Sequence, residues 1–303
     1  MKKTFIALMT LATLASCNKA EIIETNPDSI ITFGEAFVDN ATKATDPTYG
    51  TVNKLTKFNV YGTVTGTAGT VNIFDGVEVT GTVGATEWSY DEQYNQYWIP
   101  GADYDFVGIV NADAVAQNSL KMPTSITYNT VGQKDLLYAT DHVEDATAEQ
   151  QVVNMTFSHL LSKVQFTVTS NTAGGYYHNV TGIKVSNFAT GTYTINGGTW
   201  AGTTPKDIEF GSVDEVTAAS GAKTNATQML LVPNAATFNV TFTVDLYKGT
   251  TKLGTETKTI AVENDLLKGN AYNFTIACSV GNPIKFTVTN DPAWSTQPDV
   301  TIQ

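Results

Sequence analysis

The sequence predicts an all-β protein, with two tandem β-sandwich domains that follow a lipoprotein signal peptide. Apolar and polar residues alternate in many short segments, among them 57–62, 163–168 and 238–244, and this period of two is typical of strands with one buried face. Glycine-rich turns such as 196–198 separate the segments. A turn or two of helix is expected only at 112–120. Many short strands at regular spacing indicate sandwiches.

The first element is the signal peptide at 1–16. Two lysines precede an apolar run at 5–15 that is too short to span a bilayer. Residues 14–17, Leu-Ala-Ser-Cys, resemble the bacterial lipobox, in which the cysteine receives a lipid before cleavage in front of it. Cys17 is therefore the predicted lipidation site, and its acyl chains would hold the precursor on the outer membrane. The alternative is an ordinary signal peptide with a chance cysteine.

The net charge and the cysteines limit which functions the chain can have. The formal net charge is −12 and the chain contains no arginine. No nucleic acid is expected as a partner, because nucleic-acid binding needs clustered basic residues. The second cysteine, Cys278, ends an apolar, strand-like run at 272–278 and is expected to be a buried, unreactive thiol.

The rest of the chain divides into a tail and two domains. Residues 17–45 are of mixed polarity and are expected to form a lipid-bearing tail. The acidic stretch at 141–151 is poor in strand-forming residues, and a new series of strands begins after it. The expected boundary lies near residue 158, which gives an N-terminal sandwich at 46–158 and a C-terminal sandwich at 159–303.

Short motifs occur along the chain in the order typical of one protein family. The most characteristic is Phe-Ser-His-Leu-Leu-Ser-Lys-Val at 157–164. The others are Cys17, Ile-Ile-Thr-Phe at 30–33, Ala-Thr-Lys-Ala-Thr at 41–45, Trp-Ile-Pro-Gly-Ala-Asp-Tyr-Asp-Phe at 98–106, Asp-Leu-Leu-Tyr-Ala at 135–139 and Leu-Leu-Val-Pro at 230–233. Together they make the chain resemble the Mfa-like fimbrillins of Bacteroidetes, which are subunits of type V pili.

The resemblance implies transthyretin-like sandwiches and a structural, adhesive role on the cell surface as part of a fimbrium. It implies assembly with other fimbrial subunits by donor-strand exchange. The precursor fills a groove of its N-terminal domain with its own first strand. A surface protease cuts after a basic residue, and a strand from a neighbouring subunit then replaces the one that leaves. In the best-known setting the protease is arginine-specific, and this chain lacks arginine, which leaves the protease specificity open.

The residues at 30–38 allow a removable strand of this kind. Ile31, Phe33 and Phe37 share one face of an extended segment, with Glu35 as the exception on that face, and Gly34 and Ala36 lie on the other. A strand with one apolar face can fill a groove while its backbone pairs with an open sheet edge. Such an edge is an aggregation hazard when it is empty, which gives a reason to keep a removable strand there.

The expected cleavage site follows the removable strand. Lys43 and Ala44 lie in a stretch of small, polar residues, and proteases reach flexible stretches of this type. Cleavage after Lys43 would make Ala44 the first residue of the mature subunit. The alternative is that residues 17–45 are a plain tether between lipid and domain.

Two C-terminal segments have the alternation expected of a donor strand. The preferred candidate is the terminal segment that contains Val300 and Ile302. The second is 284–288, which could equally be the last strand of the C-terminal sandwich. Nearby prolines favour segments outside the centre of a sheet.

Aromatic residues cluster at 88–98, where they alternate with polar side chains. Trp88, Tyr90, Tyr94 and Trp98 could stack on sugar rings, which would make the chain a lipid-anchored, glycan-binding surface protein. In the alternative interpretation the rings pack on the sandwich. The sequence also leaves open whether a pilus subunit would be a stalk, an anchor or a tip adhesin that contacts a host or bacterial receptor.

Motifs for catalysis are not found in the sequence. His142, His159 and His178 lack metal-ligand spacing, and no nucleophile elbow, metalloprotease or nucleotide-binding motif occurs. A non-enzymatic protein without metal or cofactor is expected, with His159 as a packed structural residue.

Overall fold

The computed structural model describes residues 29–34, 36–38, 55–81, 87–147, 152–225, 227–263 and 265–291. These residues form strands almost throughout, with 3-10 turns at Glu92–Tyr94 and Thr130–Gly132. The prediction of an all-β fold is confirmed. No helix in the described part is long and apolar enough to cross a membrane. Five predicted site residues lie outside these ranges, namely Cys17, Lys43, Ala44, Val300 and Ile302.

The N-terminal half of the described chain contributes ten strands. They are β1 (Thr32–Phe33), β2 (Phe37–Val38), β3 (Lys57–Gly66), β4 (Gly69–Thr80), β5 (Asp103–Val110), β6 (Ala114–Gln117), β7 (Pro123–Asn129), β8 (Leu137–Val143), β9 (Val152–Val153) and β10 (Thr156–His159). Six of them form one sheet in the order β2-β10-β8-β5-β3-β4, and β1 pairs with β9 in a separate two-stranded sheet.

Aromatic rings fill the N-terminal core. Phe58, Phe74, Phe106 and Phe157 are each at most 1% exposed, because the period of two along their strands turns alternate side chains inward. Full burial of such a side chain contributes about 1.5–3 kcal/mol. This core therefore holds the six-stranded sheet against the segments that cover it.

The C-terminal half contributes eleven strands. They are β11 (Ser162–Ser170), β12 (Tyr176–Phe188), β13 (Thr190–Thr194), β14 (Thr199–Gly202), β15 (Pro205–Val216), β16 (Lys223–Thr224), β17 (Met229–Leu231), β18 (Phe238–Lys248), β19 (Thr251–Val262), β20 (Ala271–Cys278) and β21 (Lys285–Asp291). One sheet has the order β16-β11-β20-β21, with β17 also paired to β11, and the other has the order β15-β12-β18-β19.

The second donor candidate, 284–288, falls largely within β21. This strand pairs antiparallel with β20 from Ala271–Asp291 to Ala277–Lys285. Phe286 and Val288 pack against the C-terminal core. The segment is thus the edge strand of the C-terminal sandwich in this structure, as the alternative interpretation expected.

Cys278 lies at the end of β20 and is 3% exposed. Burial raises the pKa of its thiol to about 12. We expect the native thiol to react with a disulfide reagent at pH 8 roughly a thousandfold more slowly than an unfolded one, because the thiolate is the nucleophile. The measurement is the labelling rate of a Cys17→Ser variant, with and without denaturant. Equal rates in the two states would contradict the buried position.

The helical turns expected at 112–120 are absent, and this prediction is wrong. Ala114–Gln117 form β6, which pairs antiparallel with β7 from Ala114–Thr127 to Gln117–Pro123. Alanine has high helix propensity, but propensity is a weak guide where tertiary contacts are available. Here the partner strand β7 supplies the hydrogen bonds that decide the outcome.

A fifth sheet joins the two halves of the chain. Its order is β14-β13-β7-β6, so β7 from the N-terminal half pairs with β13 from the C-terminal half, from Thr190–Asn129 to Thr194–Ser125. A third apolar cluster beneath it draws on both halves, with Tyr128, Leu160 and Tyr193 among its members. Leu160 lies between β10 and β11, so the chain passes this cluster as it leaves β10 for β11.

Candidate functional site

The described residues of 29–38, called the N-terminal segment below, lie in a groove between two other parts of the chain. On one side they pair in parallel with β9 and β10, in the register Thr32–Val152 and Phe37–Thr156. The backbone N–H of Gly34 also donates to the carbonyl of Val153 at 2.8 Å. The strand β2 therefore forms the edge of the six-stranded sheet.

The segment 88–98, called the aromatic segment below, forms the other wall of the groove. The backbone N–H of Ile31 donates to the backbone carbonyl of Gln96 at 2.9 Å, and the backbone N–H of Trp88 donates to the backbone carbonyl of Phe33 at 2.8 Å. The Tyr90 hydroxyl donates to the carbonyl of Ile31 at 2.8 Å. The N-terminal segment is thus hydrogen-bonded along both of its sides, like a central strand, although it stands at the start of the described chain.

Phe33 anchors the segment. Its side chain is fully buried, and its ring centroid lies 5.7–6.0 Å from those of four other rings in edge-on contacts. Edge-to-face pairs add about 0.5–1.5 kcal/mol each to the burial of apolar area. The four rings are those of Phe58, Phe74, Tyr90 and Phe106.

The prediction that Ile31 and Phe33 share a buried face of the N-terminal segment is correct. Beyond Gly34 the other set of alternate side chains points inward. Ala36 is 8% exposed and packs in the N-terminal core, although the sequence placed it on the opposite face. Of Phe37, the structure describes the backbone, which pairs in β2.

The change of face arises from an extra residue in the N-terminal segment. Four residue steps separate the paired positions Phe33 and Phe37, whereas three separate their partners Val153 and Thr156. An inserted residue of this kind exchanges the side chains that point inward and outward. Gly34 suits the insertion, because a Cβ there would lie 2.7 Å from Asn154 Oδ1.

The aromatic segment supplies core side chains rather than an exposed row of rings. Trp88 is 2% exposed and Trp98 is 3% exposed, and the Trp98 ring lies 4.6 Å from that of Tyr104. Tyr90 is partly buried, and burial raises the pKa of its hydroxyl to about 12. Only Tyr94 of the four named aromatic residues is exposed, at 45%. These positions favour the interpretation in which the rings pack on the sandwich.

The three histidines lie apart and have different surroundings. His159 Nδ1 lies 2.6 Å from Asp135 Oδ2 in the buried region between the two halves. His142 is exposed, and its hydrogen bond with Asp105 at 2.8 Å raises its pKa. Burial lowers the pKa of His178. Among the described residues, no three acidic, histidine or cysteine side chains are grouped as they would be to hold a metal ion.

The walls of the groove are the part of the site that the sequence does not predict. The sequence predicts a series of strands that starts at Val152 and Val153, but it does not predict their pairing with the N-terminal segment. The aromatic segment was assigned either to sugar binding or to packing, without a link to residues 29–38. A weak signal was present, because the apolar alternation of both segments has the same strand period.

The comparisons with known proteins agree with this architecture. A family model described as fimbrillin-like matches residues 42–292, and no curated protein matches the chain. The fold is similar to a fimbrial protein from Bacteroides vulgatus, with a TM-score of 0.63 and 16% identity over 87% of this chain and 99% of that one.

Two further crystal structures share the fold. A proposed cell adhesion protein from Bacteroides uniformis has a TM-score of 0.56 at 18% identity, covering 89% of this chain and all of that one. Another from Parabacteroides distasonis has a TM-score of 0.53 at 11% identity, covering 87% and 96%. At these identities the structures establish the fold, whereas the family model spans most of the sequence. The chain therefore belongs to the fimbrillin-like family.

Proposed function

We propose that this protein is a structural subunit of a cell-surface fimbrium, made as an outer-membrane lipoprotein precursor and polymerised by protease-triggered strand exchange. Membership of the fimbrillin-like family supports the role of fimbrial subunit. The observation that carries the finer mechanism is the N-terminal segment, which fills a groove along two hydrogen-bonded sides and buries Ile31 and Phe33 completely.

The position of the segment in the chain makes it separable from the fold. It precedes Lys43, the proposed cleavage site, so one cut would divide it from everything that follows. Without it, the edges of β10 and of the aromatic segment would lose their hydrogen-bond partners, and the Phe33 pocket would open to water. Unpaired edges and exposed aromatic surface favour capture of another strand.

A strand from a second subunit would restore these contacts. The proposed donor is the C-terminal segment with Val300 and Ile302, whose alternation can place both side chains in the positions of Ile31 and Phe33. Other fimbrial subunits are therefore the main partners. Adhesion to a host or bacterial receptor would be a property of the assembled fimbrium.

Cys17 would act only in the precursor. Its lipid would deliver the chain to the outer membrane, where a surface protease reaches Lys43. Cleavage would then separate the lipid, together with the N-terminal segment, from the subunit that enters the fimbrium.

Changing Lys43→Ala is expected to keep the surface protein at its lipidated Cys17 start and to abolish the high-mass ladders that resist mild denaturation. Wild-type material should begin at Ala44. The measurement is mass and N-terminal analysis of protein extracted from the cell surface, with Lys19→Ala as a control that removes a lysine on the other side of the N-terminal segment. A lipidated start in all mature wild-type protein would contradict the stalk role and would fit a pilus anchor.

A further inference from the structure

The strand β19 (Thr251–Val262) is a long, open edge of the C-terminal sandwich. In its sheet it pairs with β18 alone among the described strands, so its other side presents backbone N–H and C=O groups without a strand partner. Most of its side chains are exposed. Natural proteins usually keep edge strands short, bulge them or protect them with charged side chains, especially lysine. The charges of β19 have both signs.

The order of the side chains gives β19 a self-complementary centre. Residues 255–259 read Thr-Glu-Thr-Lys-Thr. Read backwards, the threonines stay in place and the glutamate and the lysine exchange positions. Glu256 and Lys258 lie on one face and form an ion pair of 2.5 Å. Their side chains are 57% and 38% exposed, which leaves both able to meet further charges.

The other face of the same stretch is made of threonine hydroxyls. Thr257 lies 2.9 Å from Thr243 and Thr259 lies 3.1 Å from Thr241, each hydroxyl to hydroxyl. These cross-strand contacts fix the threonine side chains in a regular row. Threonine pairs across strands are among the combinations that stabilise antiparallel sheets.

We propose that two copies of this chain associate through β19, antiparallel, with Thr257 opposite Thr257 of the second copy. In that register each Glu256 lies opposite a Lys258, and each Thr255 lies opposite a Thr259. The two ion pairs already present would join into a square of four alternating charges. The contact is isologous and closes after two copies, and it joins two four-stranded sheets into one of eight strands.

The charge pattern also selects the register. Moving the two-fold axis from Thr257 to Glu256 would place the two glutamates opposite each other, and moving it to Lys258 would do the same for the two lysines. Like charges directly opposite destabilise a pair of strands. The pattern is therefore attractive in one register and repulsive in the neighbouring ones, unlike an edge that is protected by lysines alone.

The β19 contact goes beyond the proposed function and does not depend on it. The groove lies in the N-terminal half, whereas β19 lies in the C-terminal half, so a precursor whose groove is filled could still pair through β19. In an assembled fimbrium the same contact would join subunits side by side, which strand exchange from end to end does not do.

The test is a charge reversal and its rescue, measured by sedimentation velocity over a concentration series of the uncleaved full chain with Cys17→Ser. Glu256→Lys alone and Lys258→Glu alone should each weaken dimer formation about tenfold, because two attractive pairs become repulsive. The double variant with both changes should restore wild-type dimerisation, since it only exchanges the two sides of each pair.

Controls on the opposite edge of the same sheet separate this effect from net charge. Glu209→Lys and Lys206→Glu, both on β15, make the same charge changes and should leave dimerisation unaltered. Thermal melts of each variant check that it folds. A wild-type chain that stays monomeric throughout the series, or a double variant no better than the single ones, would overturn the proposal. Failure of strand exchange would leave it intact, because the precursor is uncleaved in this experiment.

Discussion

Replacing Phe33 with alanine is expected to lower the free energy of unfolding of the precursor by about 3–5 kcal/mol, the usual cost of removing a fully buried phenylalanine. The ring contacts four other rings, and the cavity left behind is walled by strands that pair with each other and cannot close on it. Urea denaturation of the full chain with Cys17→Ser measures the loss.

A second variant separates loss of packing from loss of the N-terminal segment. Phe210 is also fully buried, but it lies in the C-terminal core, so Phe210→Ala should cost a similar free energy. Only Phe33→Ala should speed hydrogen exchange at residues 29–38 before global unfolding, because it weakens the anchor of that segment. Equal exchange of these residues in both variants would contradict a special role for Phe33.

Removing the Asp135 carboxylate is expected to lower the free energy of unfolding by about 3 kcal/mol. This is the second large effect that we expect. Asp135 is 1% exposed, and its Oδ2 lies within hydrogen-bonding distance of His159 Nδ1, at 2.6 Å, between the two halves of the chain. Taking away one member of a buried charged or hydrogen-bonded pair leaves the other poorly solvated. Asp135→Ala, followed by urea denaturation, tests this.

Asp135→Asn provides the matched comparison. Asparagine keeps the size of the side chain and an oxygen that can accept from His159 Nδ1–H, so it should recover most of the loss. The exposed pair His142–Asp105 supplies the control, because Asp105→Ala removes a partner that is accessible to water and should change stability little. An equal effect at both sites would show that the buried pair contributes no more than the surface pair.

The sequence correctly predicts the features that depend on residues close together in the chain. The alternating segments at 57–62, 163–168 and 238–244 fall within β3, β11 and β18, because an alternating pattern specifies a half-buried strand locally. Ile31 and Phe33 were assigned to a buried face for the same reason. The resemblance to fimbrillins, carried by short motifs, also identified the family correctly.

Features set by distant parts of the chain could not be predicted. The apolar face changes beyond Gly34 because the spacing of β9 and β10 differs from that of β1 and β2 by one residue. The pairing of β7 with β13 joins residues between 61 (Asn129–Thr190) and 69 (Ser125–Thr194) positions apart and leaves no periodic trace in either strand. Alternating aromatic residues at 88–98 are compatible with a face exposed to solvent or with a buried one. Packing at the groove is what buries them.

In the proposed mechanism the N-terminal segment is a replaceable strand whose departure makes the subunit polymerise. Limited digestion of the purified Cys17→Ser precursor with a lysine-specific protease, followed by native mass spectrometry and mild denaturing electrophoresis, tests it most directly. The fragment ending at Lys43 is expected to leave, and the trimmed chains, beginning at Ala44, are expected to form high-mass ladders. A nicked monomer that keeps the fragment, or a trimmed chain that stays monomeric, would rule out the proposed mechanism.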